Sequence, residues 1–332
     1  MTEIVIFLIT YNRLSILDRT IKSYQHLNTN IDIVIIDNGT DDEECLSYLE
    51  SIDNKKYVYP KINGMDDIIK NVNSSIEQYY NYNQDYNKPK YYAVSDCDIS
   101  FESSDKDTLN IYMKLCDELN LNIGPNLSIV DLPDNYPLRF KVMIDYFYRN
   151  HKTFPRRKTY NCNNYNNINY FVDSIDTTFT LFNYEKNKTY NRLTDCANVY
   201  YPYDAKHLDW YIDVLNIPKD YYAYWKKKTN IGSWGGGWIG SIIHAINTNT
   251  QDEYFNILDK LFSDKDTIPS YCIDFSDLVW FYYKGTIIDK NIDKCKEIVL
   301  KYINNLHYVK KMDNKDDYIN DLITFLFDNG SL

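Results

Sequence analysis

The stretch IVIFLITYNR, from Ile4 to Arg13, decides the fold that this sequence predicts. Its first six residues are apolar, and most are β-branched or aromatic, which is typical of a strand buried on both faces of a parallel sheet. The polar residues from Thr10 onward mark the end of this strand. A helix is predicted next, because apolar side chains recur at spacings of three and four residues at Leu14, Leu17, Ile21 and Tyr24.

The same alternation of strand and helix continues through the first hundred residues. Helical periodicity predicts helices at 41–52 and 66–80, and short apolar or aromatic runs predict strands at 31–36, 57–59 and 91–94. This order predicts an α/β fold with a mostly parallel central sheet that is flanked by helices. Such sheets bind their ligands outside the carboxyl ends of the strands. Four polar clusters fall there, namely residues 10–13, 37–39, 61–64 and 95–98.

The rest of the chain is less regular. We predict helices at 109–119 and 140–148 and a polar loop at 156–169. We predict strands at 126–130, 173–182 and 198–201. From about residue 215 the pattern is helical, which predicts an α/β domain at 1–214 and a mainly helical C-terminal extension at 215–332. The amphipathic faces of the last helices predict packing against the first domain, and a homo-oligomer contact is the alternative.

Composition narrows the class of protein. The 332 residues carry a net charge of −11, which argues against a nucleic-acid binder that works by neutralising phosphates. The seven cysteines form no Cys-x-x-Cys pair, so we expect neither a disulfide framework nor a structural zinc site, but a reducing compartment. The chain shows no secretory signal and no apolar run of the ~20 residues that span a membrane, so we expect a soluble, cytoplasmic protein.

The acidic residues Asp96 and Asp98 flank Cys97 directly after the predicted strand at 91–94. Two carboxylates one residue apart at a strand end can share one Mg²⁺ or Mn²⁺ ion, since these ions prefer oxygen ligands and bridge phosphates. Such an ion neutralises the charge that builds on a departing diphosphate. A chance acidic pair is the alternative, in a chain with 47 acidic residues.

The turns after the first two strands predict a nucleotide site. Thr10, Tyr11 and Arg13 supply a hydroxyl, a ring and a guanidinium, which suit a base and a diphosphate, and Arg13 opens a helix whose N-terminus attracts phosphate. Asp37 and Asn38 end the second strand, where a carboxylate can read the base or the ribose. Ordinary polar turns are the alternative, because Asn-Gly is a common turn pair.

These segments carry a resemblance to a known family. Residues 4–13, 33–39 and 92–98 resemble the first half of a GT-A glycosyltransferase of the family-2 type. Further along, the chain is similar to a bacterial and viral subgroup of these enzymes at 124–137, 175–179 and 203–213. The resemblance covers roughly residues 1–215 and implies a metal-dependent transfer of a sugar from a nucleotide-sugar donor, with a UDP-sugar favoured, to a glycan or another hydroxyl acceptor.

The resemblance also implies roles for individual residues. The nucleotide pocket would be lined by Thr10, Tyr11, Arg13, Asp37, Asn38, Asn63, Asp66, Ser95, Asp96 and Cys97. The metal ligands would be Asp96, Asp98 and His207. The general base of an inverting reaction stays open among three carboxylates, with Asp176 first and Asp131 and Asp209 behind it, because the chain lacks the Glu-Asp pair of the family.

Two other functions compete with this interpretation. A sugar nucleotidyltransferase is disfavoured, since its long glycine- and lysine-rich loop after the first strand is missing. A sugar- or nucleotide-binding protein without turnover is the second alternative. The segment 233–238, Ser-Trp-Gly-Gly-Gly-Trp, predicts either a loop over the donor or acceptor or a tight turn with packed tryptophans.

Overall fold

The computed structural model describes residues 2–62, 64–82, 88–150, 163–174, 178–191, 195–226, 240–263, 274–285, 287–307 and 309–327. Within these ranges strands and helices alternate from the first strand to the fourth. The strands are β1 (Ile4–Thr10), β2 (Ile31–Asp37), β3 (Lys55–Val58), β4 (Tyr91–Asp96), β5 (Ile99–Ser100), β6 (Asn122–Pro125), β7 (Asn163–Tyr165), β8 (Ile168–Ser174), β9 (Phe179–Asn183), β10 (Asp195–Val199) and β11 (Lys206–His207).

The helices of the described ranges flank the sheet and then dominate the C-terminal part. They are α1 (Leu14–Gln25), α2 (Glu43–Ser51), α3 (Met65–Tyr82), α4 (Thr108–Leu119), α5 (Arg139–Asn150), α6 (Lys219–Lys226), α7 (Gly240–Thr248), α8 (Gln251–Ser263), α9 (Asp274–Lys284), α10 (Ile292–Asn305) and α11 (Lys315–Phe327). A 3-10 helix at Leu208–Tyr211 follows β11 directly. Among the described helices, none combines the length and the apolar character that crossing a bilayer requires.

The described strands form one large sheet of nine in the order β3-β2-β1-β4-β9-β6-β10-β8-β7. All of them except β8 and β9 run in the same direction, so the sheet is mostly parallel. With the helices on its faces and the helical C-terminal part, this confirms the predicted α/β fold class. The short strands β5 and β11 pair with each other antiparallel, beside the large sheet.

Both faces of the sheet are covered, as the apolar run of β1 predicts. Ile4, Ile6 and Leu8 pack into the core under α1, α2 and α4, whereas Val5 and Phe7 pack into the core under α3. All seven residues of β1 are buried. Parallel strands covered on both faces have this continuous apolar composition.

The C-terminal helices share their apolar core with earlier segments. This core combines residues of α7 to α11 with residues 129–144 and 208–214. Leu208 and Trp210 of the 3-10 helix point into it. The predicted division of the chain at 214/215 stays a prediction.

Two of the predicted strands and one predicted loop are wrong. Residues 173–182 are not one strand, because β8 ends at Ser174 and β9 begins at Phe179. The strand predicted at 126–130 lies earlier, as β6. The polar stretch at 163–169, predicted as a loop, is a hairpin of β7 and β8 whose two turn residues, Asn166 and Asn167, have positive φ angles of 50° and 67°. Asparagine tolerates this left-handed conformation, which tight hairpin turns require.

Candidate active site

The turn after β4 carries the Asp-x-Asp sequence and is fixed from two sides. The Thr20 hydroxyl of α1 donates a hydrogen bond of 2.7 Å to the Cys97 carbonyl. The backbone N–H of Leu208 donates to the Asp98 carbonyl at 2.6 Å. The pairing of β11 with β5 sets His207 opposite Ile99. The segment around residue 207 is therefore joined to this turn by backbone hydrogen bonds.

Three buried side chains converge at this turn. Asp98, His207 and Asp209 each offer one ligand atom, and these atoms all lie within 4.8 Å of one another. The three residues are 4%, 3% and 0% exposed. Asp98 Oδ1 and His207 Nδ1 have no hydrogen-bond partner, although buried polar atoms are nearly always paired. Two carboxylates and an imidazole are ligand types that fit a divalent cation.

The charge state of Asp98 suits this role. Burial alone would raise the pKa of Asp98, but the charges of His207 and Arg13 hold the pKa of this carboxyl below its usual range. The Asp98 side chain therefore stays ionised, as a metal ligand must be. The His207 ring stacks on Trp210 with ring centroids 5.0 Å apart, which fixes its orientation.

Arg13 reaches the same cluster from the turn between β1 and α1. Its Nη1 donates to Asp98 Oδ2 at 3.1 Å, and its Nη2 donates to Asp209 Oδ1. The guanidinium carbon lies 5.2 Å and 5.7 Å from the ring centroids of Tyr224 and Tyr221, both on α6. Burial opposes the charged form of Arg13, but the neighbouring acidic groups, with Asp209 first and Asp98 among them, together outweigh it and hold the pKa of Arg13 well above its usual value.

The N-terminus of α1 is occupied by a side chain of α6. The backbone N–H and the hydroxyl of Ser15 both donate to Asp220 Oδ2 at 2.8 Å. The Asp220 carboxylate thus takes the place that an anion prefers at a helix N-terminus. This neighbour was not predicted from the sequence, which points only to phosphate at this position.

Several polar atoms at the ends of β1 and β2 have unused hydrogen-bonding capacity. Thr10 Oγ1, Tyr11 Oη and Asn38 Nδ2 are buried and lack a hydrogen-bond partner. The Asp37 carboxylate accepts bonds from the backbone N–H and the hydroxyl of Thr40, at 2.9 Å and 2.6 Å. The Asp37 carboxylate therefore stabilises the turn that follows β2.

The Asn-Gly pair of this turn also has a structural role. Gly39 has a φ of 85°, and a Cβ at this position would lie 2.5 Å from the backbone nitrogen of Lys61. No residue with a side chain fits there, which explains the glycine after Asn38.

The other predicted site residues lie at varying distances from the cluster. Asp96 ends β4 half-buried and is not a member of the three-residue group. Ser95 is buried and shares a hydrogen bond of 2.7 Å with Tyr24. Cys97 is buried, and burial raises the pKa of its thiol to about 12. Asp66 is exposed in the first turn of α3.

Asp131 lies at the surface, where it accepts hydrogen bonds from Lys206 and from Tyr211. Asn63, Asp176 and the glycine-rich segment 233–238 lie outside the described residues, so their predicted roles stay predictions. The roles of the other site residues also stay predictions, because the geometry describes positions and not chemistry.

Sequence reasoning missed several neighbours of the cluster. Tyr221 and Tyr224 beside Arg13 are spaced three residues apart on a helix, but 34 tyrosines in the chain hide this signal. Thr20 lies in the middle of α1 with nothing in the local pattern to mark it. Trp210 belongs to a segment noted in the sequence, although its contact with His207 was not predicted.

Comparison with known proteins finds neither a matching family model nor a matching curated protein. Among solved structures, the mannosyltransferase PcManGT from Pyrobaculum calidifontis, in complex with GDP-Man and Mn²⁺, is 9% identical with a TM-score of 0.39, over 98% of this chain and 87% of that chain. S. aureus TarS 1-349 is 12% identical with a TM-score of 0.36, over 98% and 91%. S. aureus TarS is 10% identical with a TM-score of 0.36, over 99% of this chain but only 54% of that chain. At such values the function has to be argued from the site itself.

Proposed function

We propose that this chain is a metal-dependent glycosyltransferase that moves a sugar from a nucleotide-sugar donor to a hydroxyl group of a glycan or another acceptor. The observation that carries the proposal is the buried convergence of Asp98, His207 and Asp209 beside the carboxyl ends of β1 and β4. The resemblance of residues 4–13 and 92–98 to the opening of GT-A enzymes supports the donor class and favours a UDP-sugar.

The residues of the site divide between the metal and the nucleotide. Mn²⁺ or Mg²⁺, when bound, supplies positive charge that stabilises the diphosphate as its bond to the sugar breaks. We assign Asp98 and His207 as ligands, with Asp96 as the further ligand predicted from the sequence. The unpaired polar atoms of Thr10 and Tyr11 are suited to hydrogen bonds with the nucleotide.

The reaction forms a bond between the acceptor oxygen and the anomeric carbon. The bond between that carbon and the diphosphate oxygen breaks, and the diphosphate keeps the electron pair. In an inverting reaction a carboxylate takes the proton of the acceptor hydroxyl. We assign this role to Asp176, with Asp131 and Asp209 as alternatives.

The contacts of Asp131 and Asp209 favour Asp176 over either of them as the base. Asp209 is held in a buried ion pair with Arg13. Burial would raise the pKa of Asp131, but the Lys206 ammonium holds it below its usual range, which makes this carboxylate a weak base. The Thr178 carbonyl accepts the backbone N–H of Asp96 at 3.0 Å, so Thr178, two positions after Asp176 in the sequence, lies beside the Asp-x-Asp turn.

The test is a thermal-shift panel of UDP-, GDP-, CMP- and dTDP-sugars, each with and without Mn²⁺. A ligand that binds only the folded chain raises the melting temperature. We expect a shift with one nucleotide class that depends on Mn²⁺, followed by Mn²⁺-dependent hydrolysis of that donor. No shift with any donor would contradict the proposal and favour a protein without this activity.

Matched variants locate the activity. Asp98→Asn keeps the size of the side chain but removes the charged ligand, so we expect donor hydrolysis to fall at least about 100-fold. Asp117→Asn is the control, because Asp117 contacts Lys90 and Tyr91 at the opposite end of β4. Equal activity of the Asp98 variant and the control would contradict the assignment of the site.

A further inference from the structure

Arg13 holds two of the three residues of the candidate metal site. Arg13 is only 5% exposed, and the two terminal nitrogens of its guanidinium bind one carboxylate each, those of Asp98 and Asp209. A guanidinium is a rigid planar fork, so the two carboxylates are kept at a fixed separation. Arg13 thus joins Asp98 and Asp209, which lie 85 and 196 positions further along the chain.

The backbone that directs Arg13 into the cluster is unfavourable. Asn12 and Arg13 have φ angles of 49° and 74°, in the left-handed region, which asparagine tolerates but arginine avoids. Such conformations persist only where the surroundings fix them. Here Asn12 is fixed by the next loop: its N–H donates to Thr40 Oγ1 at 3.1 Å, and its side chain donates to Asp41 at 2.8 Å.

The charges of Arg13 and of its two carboxylate partners are unequal. Asp98 and Asp209 carry two negative charges, and the guanidinium carries one positive charge. A divalent cation bound by both aspartates would add positive charge beside this guanidinium, and like charges repel strongly in a buried site. Asp98 Oδ1 and His207 Nδ1 are unpaired and open to the cation, whereas Asp209 has to be shared with Arg13.

We propose that Arg13 is a positioning residue that acts as an internal counter-cation of this site. It keeps Asp98 and Asp209 converged, and it lowers the affinity of the site for a divalent cation. A diphosphate offers the guanidinium anionic oxygens in place of a carboxylate, so cation and diphosphate bind together more readily than the cation alone. The inference rests on the metal site of the proposed function and adds the residue that sets its affinity.

The test is a titration with Mn²⁺ in the absence of nucleotide, in which free Mn²⁺ is counted by electron paramagnetic resonance. We expect Arg13→Met to bind Mn²⁺ about tenfold more tightly than the wild type, within the range of typical coupling between sites. Arg13→Lys should lie between the two, because one ammonium cannot bridge both carboxylates. Arg19→Met is the control, since Arg19 lies on α1, the helix that follows Arg13, but pairs with Glu102 at the surface.

Each outcome decides a different point. An Mn²⁺ affinity that is unchanged or weaker in both Arg13 variants overturns the inference and leaves the metal site intact. If Arg13→Met does not fold, Arg13→Lys decides alone, and an affinity equal to that of the wild type overturns the inference. No Mn²⁺ binding by the wild type or any variant overturns the metal-dependent part of the proposed function, and this inference with it.

Discussion

The Asp209→Asn variant tests how much the buried ion pairs of Arg13 contribute to the free energy of unfolding. Asp209 is fully buried, and its carboxylate lies at least as close to the guanidinium as that of Asp98, which is 3.1 Å away. At an effective dielectric constant of about 20, a charge pair at this distance interacts by about 5 kcal/mol, and desolvation offsets part of this energy. We expect Asp209→Asn to lower the free energy of unfolding by about 3 kcal/mol. This is the lower end of the range of losses that follow when one partner of a buried ion pair is removed, because Asp98 still pairs with Arg13.

Differential scanning calorimetry with EDTA in the buffer measures this loss. An unfolding entropy of about 2.1 cal/mol/K per residue gives about 0.7 kcal/mol/K for 332 residues, so we expect a melting temperature about 4 °C lower. Asp117→Asn is the control, because its surface pair with Lys90 is worth no more than about 1 kcal/mol. A melting temperature of Asp209→Asn equal to that of the control would refute the reasoning. So would full additivity with Arg13→Met, since residues in one ion-pair network couple by about 1 kcal/mol.

Three further changes probe the supports of the site. Thr20→Val removes the hydrogen bond to the Cys97 carbonyl, so we expect a free energy of unfolding lower by about 1 kcal/mol in urea and weaker Mn²⁺ binding; unchanged Mn²⁺ binding would show that this bond does not position the turn. Asp220→Ala removes the acceptor for the Ser15 N–H at the start of α1. We expect the free energy of unfolding to fall by about 1 kcal/mol in the same urea titration. An unchanged free energy of unfolding would show that this contact does not stabilise the helix. Burial raises the pKa of Asp204, so the stability tied to its proton is present below the unfolded pKa and lost as pH rises through the folded pKa. Asp204→Asn should therefore gain stability relative to the wild type as pH rises above the unfolded pKa of Asp204, and a difference in urea midpoint that is constant with pH would contradict the burial effect.

The order of strands and helices in the first hundred residues could be predicted because it depends on local periodicity. The apolar run of β1 and the spaced apolar residues of α1 each report burial within a few turns of chain. The predicted ends of strands and helices were less accurate: the strand predicted at 126–130 is observed at Asn122–Pro125. The hairpin at 163–174 was missed because its asparagines look like a loop in composition, although two of them form a tight turn with positive φ angles.

The sequence also predicted most residues of the cluster, but with a different grouping. Asp98 and His207 were named as metal ligands, and Asp209 was named as a candidate base. The structure groups Asp98, His207 and Asp209, and leaves Asp96 outside the group. Arg13 was predicted to face a diphosphate, and its guanidinium binds the two aspartates of the group.

What the sequence by itself determined is therefore the alternating α/β fold and the polar turns at the carboxyl ends of its strands, since both follow from short-range patterns of apolar and polar residues. Only the tertiary structure decided which side chains meet. The pairing of β11 with β5 carries His207 to Asp98, and burial of Leu208 and Trp210 in the C-terminal core turns Asp209 toward Arg13. Contacts across 85 and 196 residues leave no trace in local periodicity, because they depend on how distant segments pack.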